Sequence, residues 1–340
     1  MKNNKLARCY QCYYSIWVHP TKDGRAMIST CCNNMFRAEN RVIAVNNIKK
    51  TWNSRQFKFQ RKLKLKKDWS SCKGASCENR PFAQQLIDEN VNNAIKKGNT
   101  ELEYLPRMVT IIPSEGCNNN CYFCYQAPAR KKCENYRLRN NLIQELKDDI
   151  IPHAAWVVIS GGEPFFSIEG LDLINWTLSC YPEKKLCVLT NGTLLDKFGL
   201  ERIMRNNISL RITFYGMSKL TYSEVTKTDN FNAMFNNVKG LIDAGYKNMK
   251  LVFIVSRKSL VDAEAFCEFI AGNEHLQGIV ENNCFEGKQC YKLMEQLERK
   301  YIHAASRLRF GYRDEGLIRR ITRKLYLPWY SLRYLSGSKP

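Results

Sequence analysis

The chain has 340 residues, enough to bury a large core, with room for one big α/β domain and a smaller module. Its 53 Lys+Arg against 32 Asp+Glu give a formal charge of +21, which disfavours self-association and favours anionic partners such as phosphates, nucleic acid or acidic peptides. Fifteen cysteines, an odd number, follow an amino terminus without an apolar signal-peptide core, and no apolar run is long enough to span a bilayer. These features point away from a secreted disulfide scaffold and towards a cytoplasmic protein whose clustered thiols bind metal.

Residues 1–104 lack βα alternation and hold six cysteines, Cys9, Cys12, Cys31, Cys32, Cys72 and Cys77, which marks them as a small Cys-rich module. The stretch from Arg41 to Lys67 contains no acid, and reads as a solvated basic face with ordinary packing residues.

From Met108 onward, short β-rich runs alternate with helical stretches, the pattern of βα units in a parallel sheet. Strands are predicted at Met108–Ile112, Ala155–Ser160, Leu186–Thr190, Ser209–Phe214, Leu251–Ser256 and Gln277–Val280. Helices fall at Leu142–Ile150, Leu194–Arg205, Phe231–Ala244 and Asp262–Ile270, where apolar residues recur three or four apart. Right-handed crossovers curl such a sheet, so the fold class is α/β, a partial (β/α)6 TIM-like barrel over residues 105–283.

Loops leaving the carboxyl ends of parallel strands gather on one face and carry ligands. Cys117, Cys121 and Cys124 follow the first of these strands, Gly161-Gly162-Glu163-Pro164 the second, Thr190-Asn191-Gly192 closes the third, and Thr213 and Tyr215 flank the end of the fourth. Three thiolates bind three irons of a 4Fe-4S cluster and leave the fourth iron open. A zinc site instead closes with four ligands, and Cys133 is the nearest candidate for a fourth. Residues 284–340 form a basic carboxy-terminal extension; after Glu315 it has no acid, and it suits either a helix packed on the barrel or an interfacial helix.

The spacing C-x3-C-x2-C, with the aromatic Phe123 before the last cysteine, followed one strand later by Gly-Gly-Glu-Pro, resembles the radical S-adenosylmethionine (SAM) superfamily. The resemblance implies a 4Fe-4S cluster on Cys117, Cys121 and Cys124, with SAM on its open iron. It implies that Gly161, Gly162, Glu163 and Pro164 bind the methionine amino group, and that Thr190, Asn191, Thr213 and Tyr215 meet the ribose and carboxylate. Reductive cleavage of SAM would then yield a 5'-deoxyadenosyl radical that abstracts a substrate hydrogen.

The amino-terminal run Thr51-Trp52-Asn53-Ser54 with Phe57, Arg61 and the six cysteines is similar to the SPASM/Twitch auxiliary-cluster module, which ordinarily follows the barrel instead of preceding it. An auxiliary 4Fe-4S cluster on Cys72, Cys77, one of Cys31 and Cys32, and one of Cys9 and Cys12 is the expectation, with a zinc ribbon as the alternative. Cys180, Cys187 and Cys267 read as buried apolar residues.

The function expected is oxidation or modification of a peptide or protein side chain or of a sugar-type small molecule. An electron donor such as flavodoxin or ferredoxin and an anionic substrate are the partners. RNA modification, or a non-enzymatic zinc and nucleic-acid-binding protein, are the alternatives.

Overall fold

A computed structural model describes residues 10–30, 41–44, 47–68, 85–124, 126, 136–282 and 288–311. Ten strands form one sheet: β1 (Ser15–Pro20), β2 (Ala26–Ser29), β3 (Arg41–Ala44), β4 (Met108–Ile111), β5 (Trp156–Ile159), β6 (Lys185–Thr190), β7 (Ser209–Phe214), β8 (Met249–Val255), β9 (Gly278–Asn282) and β10 (Leu308–Gly311). Their order is β10-β9-β8-β7-β6-β5-β4-β1-β2-β3. Every pair from β10 to β1 is parallel, and the pairs β1–β2 and β2–β3 are antiparallel. The edges β10 and β3 do not pair, so the sheet is open.

The six strands predicted from sequence are β4 to β9. What the sequence reading missed is that β1 and β10 continue the parallel order on either side. Ser15 pairs with Met108 and Val18 with Ile111, so strand pairing runs straight across the expected boundary at residue 104. The hydrophobic core does the same, joining Tyr13, Ile16, Val18, Trp52 and Phe57 to the barrel residues. The described part of residues 1–104 is therefore continuous with the sheet and not set apart from it.

Alternation along the strands explains the layering. Val157, Ile159, Leu186, Val188, Leu210, Ile212, Phe214, Leu251 and Phe253 are buried in one core with Leu173 and Ile174 of α5 (Ile168–Cys180), Val238 and Leu241 of α9 (Phe231–Asp243), and Phe266 and Ile270 of α10 (Ala263–Ala271). Each such side chain contributes about 1.5–3 kcal/mol on burial. The intervening residues Val158, Cys187, Leu189, Arg211 and Thr213 point to the other face and are only half-buried. Successive strands added in sequence order, with crossover helices on one side, leave that second face as the inner one.

The residues that prompted the auxiliary-module reading act as a brace. Trp52 Nε1 donates to the Tyr104 carbonyl (2.7 Å), and the Asn53 amide closes a pair with Leu102, donating at 2.7 Å and accepting at 3.0 Å. Arg61, on α2 (Arg55–Leu65), is fully buried and donates to the carbonyls of Cys12, Thr100 and Trp52 and to Asn53 Oδ1. Burial lowers its pKa to about 10. Cys12 is buried in the core, while Cys9, Cys31, Cys32, Cys72, Cys77, Cys133 and the extension beyond Gly311 lie outside the described residues. Cys267 is buried as expected, but Cys180 is exposed at the end of α5 and Cys187 is half-buried on the inner face.

Candidate functional site

Because β4 to β7 are parallel and in register, their carboxyl ends open on one edge, and the four loops meet there. Their backbones interlock first. Gly162 N–H donates to the Ser114 carbonyl (3.1 Å) and Glu163 N–H to the Gly116 carbonyl (2.8 Å), so the Gly-Gly-Glu-Pro loop is stitched to the segment entering Cys117. Gly161 has a φ of +138°, open to glycine alone, and a Cβ there would strike the Ser114 carbonyl. A Cβ on Gly162 would run into the carbonyl oxygens of Gly116 and Glu115. The sequence reading gave these glycines a close approach to a ligand; what approaches them is the cysteine loop itself.

Glu163 is likewise committed to the protein. Its carboxylate is buried and accepts from Thr190 Oγ1 (2.7 Å), Asn191 N–H (2.6 Å) and Phe165 N–H (3.2 Å). Burial pushes its pKa up to about 7, against the three hydrogen bonds that favour the charged form. Glu163 thereby ties the end of β6 to the loop after β5, while Pro164 is buried beside it.

The asparagines between the cysteines, which sequence reasoning left without a role, lock the loop. Asn118 donates to Thr193 Oγ1 (2.7 Å) and accepts from Asn191 Nδ2 (2.9 Å). Asn119 is buried; it donates to the Tyr222 hydroxyl (3.0 Å) and accepts from Thr228 (2.9 Å) and Asn230 (3.0 Å). Asn120 and Tyr122 N–H groups bond the carbonyls of Thr226 and Val225, at the end of α8 (Lys219–Thr226). The only signal was composition, three consecutive amides with local hydrogen-bonding capacity.

The loop that carries the thiols packs its Phe123 against the Tyr215 ring. Cys121 is buried, and Cys117 and Cys124 are half-buried. Burial raises the Tyr215 phenol well above its ordinary pKa, with further contributions from Cys121, Cys124 and Cys117, so all three sulfurs act on it. Phe123 stands against the same ring at 6.0 Å. Cys117 Sγ accepts from Asn119 N–H (3.4 Å) and from Asn191 Nδ2 (3.9 Å), donors that stabilise thiolate charge. Among the described residues no three His, Cys, Asp or Glu side chains are gathered tightly enough to hold a metal ion. The donor set suits a polynuclear group, in which each thiolate takes its own iron, better than one tetrahedral ion with sulfurs about 2.3 Å from a single centre. Thr213, one strand position before Phe214, is half-buried on the inner face below Tyr215.

Residues 111–270 match the family model described as "Radical SAM superfamily". The chain is 28% identical over 170 residues to a "Probable GTP 3',8-cyclase" of Saccharolobus solfataricus, covering 46% of this chain and 51% of that protein. It is 25% identical over 191 residues to the protein of the same description from Sulfurisphaera tokodaii, covering 54% and 58%. The chain thus spans about half the length of the curated relatives it matches. Among solved structures, Streptococcus suis SuiB bound to S-adenosylmethionine shares the fold, with a TM-score of 0.50 at 16% identity over 89% of this chain and 73% of that one. Residues 111–270 thus carry a radical SAM domain.

Proposed function

We propose that Cys117, Cys121 and Cys124 hold a 4Fe-4S cluster and that the surrounding loops hold SAM. When bound, the two supply reductive cleavage of a carbon–sulfur bond and, through it, a carbon radical that takes a hydrogen from the substrate. The observation that carries the reading is the placement of Cys117, Cys121 and Cys124 on the one loop that leaves β4, stitched by backbone hydrogen bonds to Gly162 and Glu163.

The chain's own residues contribute position. Asn119 N–H and the Asn191 amide stabilise negative charge on Cys117, Asn118 and Asn119 fix the loop, and Phe123 and Tyr215 cover it from the inner side. Glu163 holds Thr190 and Asn191 in register with the cysteine loop, acting as a positioning residue. Thr213 faces inward where cofactor and substrate would meet. A reductant, such as flavodoxin or ferredoxin, supplies the electron.

The substrate is a peptide or protein side chain or a sugar-type small molecule. The curated relatives are named for GTP, whose ribose favours the second class. The auxiliary 4Fe-4S cluster remains part of the proposal, with Cys12 buried beside the Arg61 brace as one candidate ligand.

The test is anaerobic reconstitution with iron and sulfide, followed by reduction in the presence of SAM. Formation of 5'-deoxyadenosine, abolished by Cys121→Ala, is the expected result. A Cys121→Ala protein that still cleaves SAM would defeat the assignment.

A further inference from the structure

The inner face carries a cationic group that the cluster chemistry does not use. Arg211 of β7 and Lys250 of β8 are register partners, and Arg309 of β10 lies one layer higher, in line with Ile279, Val252 and Thr213. The row of Arg211 also contains Leu189, two residues before Asn191, so the cations sit directly beneath the layer of loops that holds the cysteines. Two residues of strand amount to roughly 7 Å.

Among the described residues the carboxylate paired with this group is Glu281 of β9, which accepts from Arg211 at 2.5 Å. Lys250 is half-buried, and among the described residues no hydrogen-bond acceptor or carboxylate is paired with its ammonium. Its pKa is lowered by burial first, then by Arg309 and Arg211, the direction expected for a cation held among like charges. Among the described residues, three cations and one acid leave a net charge of +2 on this face, with Arg211 and Lys250 half-buried and Arg309 exposed. On the same face, the buried polar atoms Ser15 Oγ, Trp17 Nε1 and Thr110 Oγ1 have no hydrogen-bond partner, and Trp17 and Thr110 are register partners. Buried groups of this kind stay costly until a polar ligand meets them.

We infer that Arg211, Lys250 and Arg309 form a subsite for a phosphoryl group of the substrate, placing a phosphorylated small molecule along the inner face beneath the cysteine loop. This rests on the radical SAM reading of the loop above it. A phosphate monoester near −2 matches the net charge, whereas a single peptide carboxylate leaves one cation unneutralised. Arg211 and Arg309 present forked donors, and Lys250 a point charge between them.

The test is calorimetric titration of the full-length, reconstituted protein with inorganic pyrophosphate. Saturable binding is expected, weakened about tenfold or more by Lys250→Met, while Lys239→Met, which removes an exposed lysine on α9, leaves it unchanged. Arg309→Met, altering an exposed side chain that folding does not require, should weaken binding in the same direction. Absence of saturable binding, equal weakening by Lys239→Met, or tighter binding of a hexaglutamate peptide than of pyrophosphate would each overturn the subsite. Wild-type protein that cleaves SAM but ignores pyrophosphate loses only this inference; protein that binds pyrophosphate and never cleaves SAM loses only the radical reading.

Discussion

Glu163 illustrates how far a single residue can be understood from its surroundings. Its folded pKa of about 7 lies above the ordinary 4.5, so the native state holds the proton more tightly than the unfolded chain. Between those two values stability falls as pH rises, by about 3 kcal/mol at most, and above pH 7 the penalty is complete. Urea unfolding of SAM-free protein should show this decline, and Glu163→Gln should flatten it; an unchanged pH dependence in the variant would mean that the carboxyl is not burdened by burial. Gly162→Ala should cost about 1–3 kcal/mol, because the new methyl group must push the Glu115 and Gly116 carbonyls aside. The same denaturation experiment checks it. Both residues were legible in the sequence as a motif, but their partners were not. A motif names residue types; only the parallel register brings Ser114 and Gly116 against them.

At the level of elements, the strands that alternate cleanly were readable and those outside the βα rhythm were not. Ser209–Phe214 falls where its alternation predicts, and β4, β5, β6 and β8 differ from expectation by one or two residues at their ends. The predicted helix over Leu194–Arg205 is two pieces, α6 (Leu195–Phe198) and α7 (Leu200–Arg205), divided at Gly199 with a φ of +102°. β1 was missed because Ser15, Trp17 and His19 alternate with Ile16 and Val18 among cysteines that drew attention to metal binding, and because its pairing partner lies about ninety residues away. Its last residues also reach the site: His19 Nε2 lies 3.3 Å from Glu115 Oε1, both buried, two positions before Cys117.

Two outcomes follow for this part of the chain. Removing residues 1–104 should leave β4 with an unpaired edge and produce an aggregating fragment, seen by size-exclusion chromatography, where an independent barrel would give a folded monomer. Arg61→Met should destabilise the full chain by about 2–4 kcal/mol in chemical denaturation, since it strands the carbonyls of Cys12, Trp52 and Thr100. No change would mean those carbonyls find other donors.

For the whole molecule, charge and topology act together. A formal charge of +21 is a statement about partners, and the fold turns part of it inward, at Arg211, Lys250 and Arg309. Composition alone could not say which of the 53 basic residues share a face of the sheet; the period-two alternation of β7, β8 and β10 does. Among the described residues no helix is long and apolar enough to cross a membrane. The radical SAM match was legible from the spacing of Cys117, Cys121 and Cys124 with Gly161-Gly162-Glu163-Pro164 one strand later. The proposed phosphoryl subsite was not, because Arg211, Lys250 and Arg309 share a face only once their strands pair.

Cys117, Cys121 and Cys124 are proposed to hold a cluster with one iron open to SAM. Low-temperature electron paramagnetic resonance of dithionite-reduced protein, recorded before and after adding SAM, tests it most directly. A reduced 4Fe-4S signal whose g-values shift when SAM is added is expected, with the SAM-responsive component missing in Cys121→Ala. A signal indifferent to SAM, or a protein that carries zinc and gives no signal at all, would contradict it.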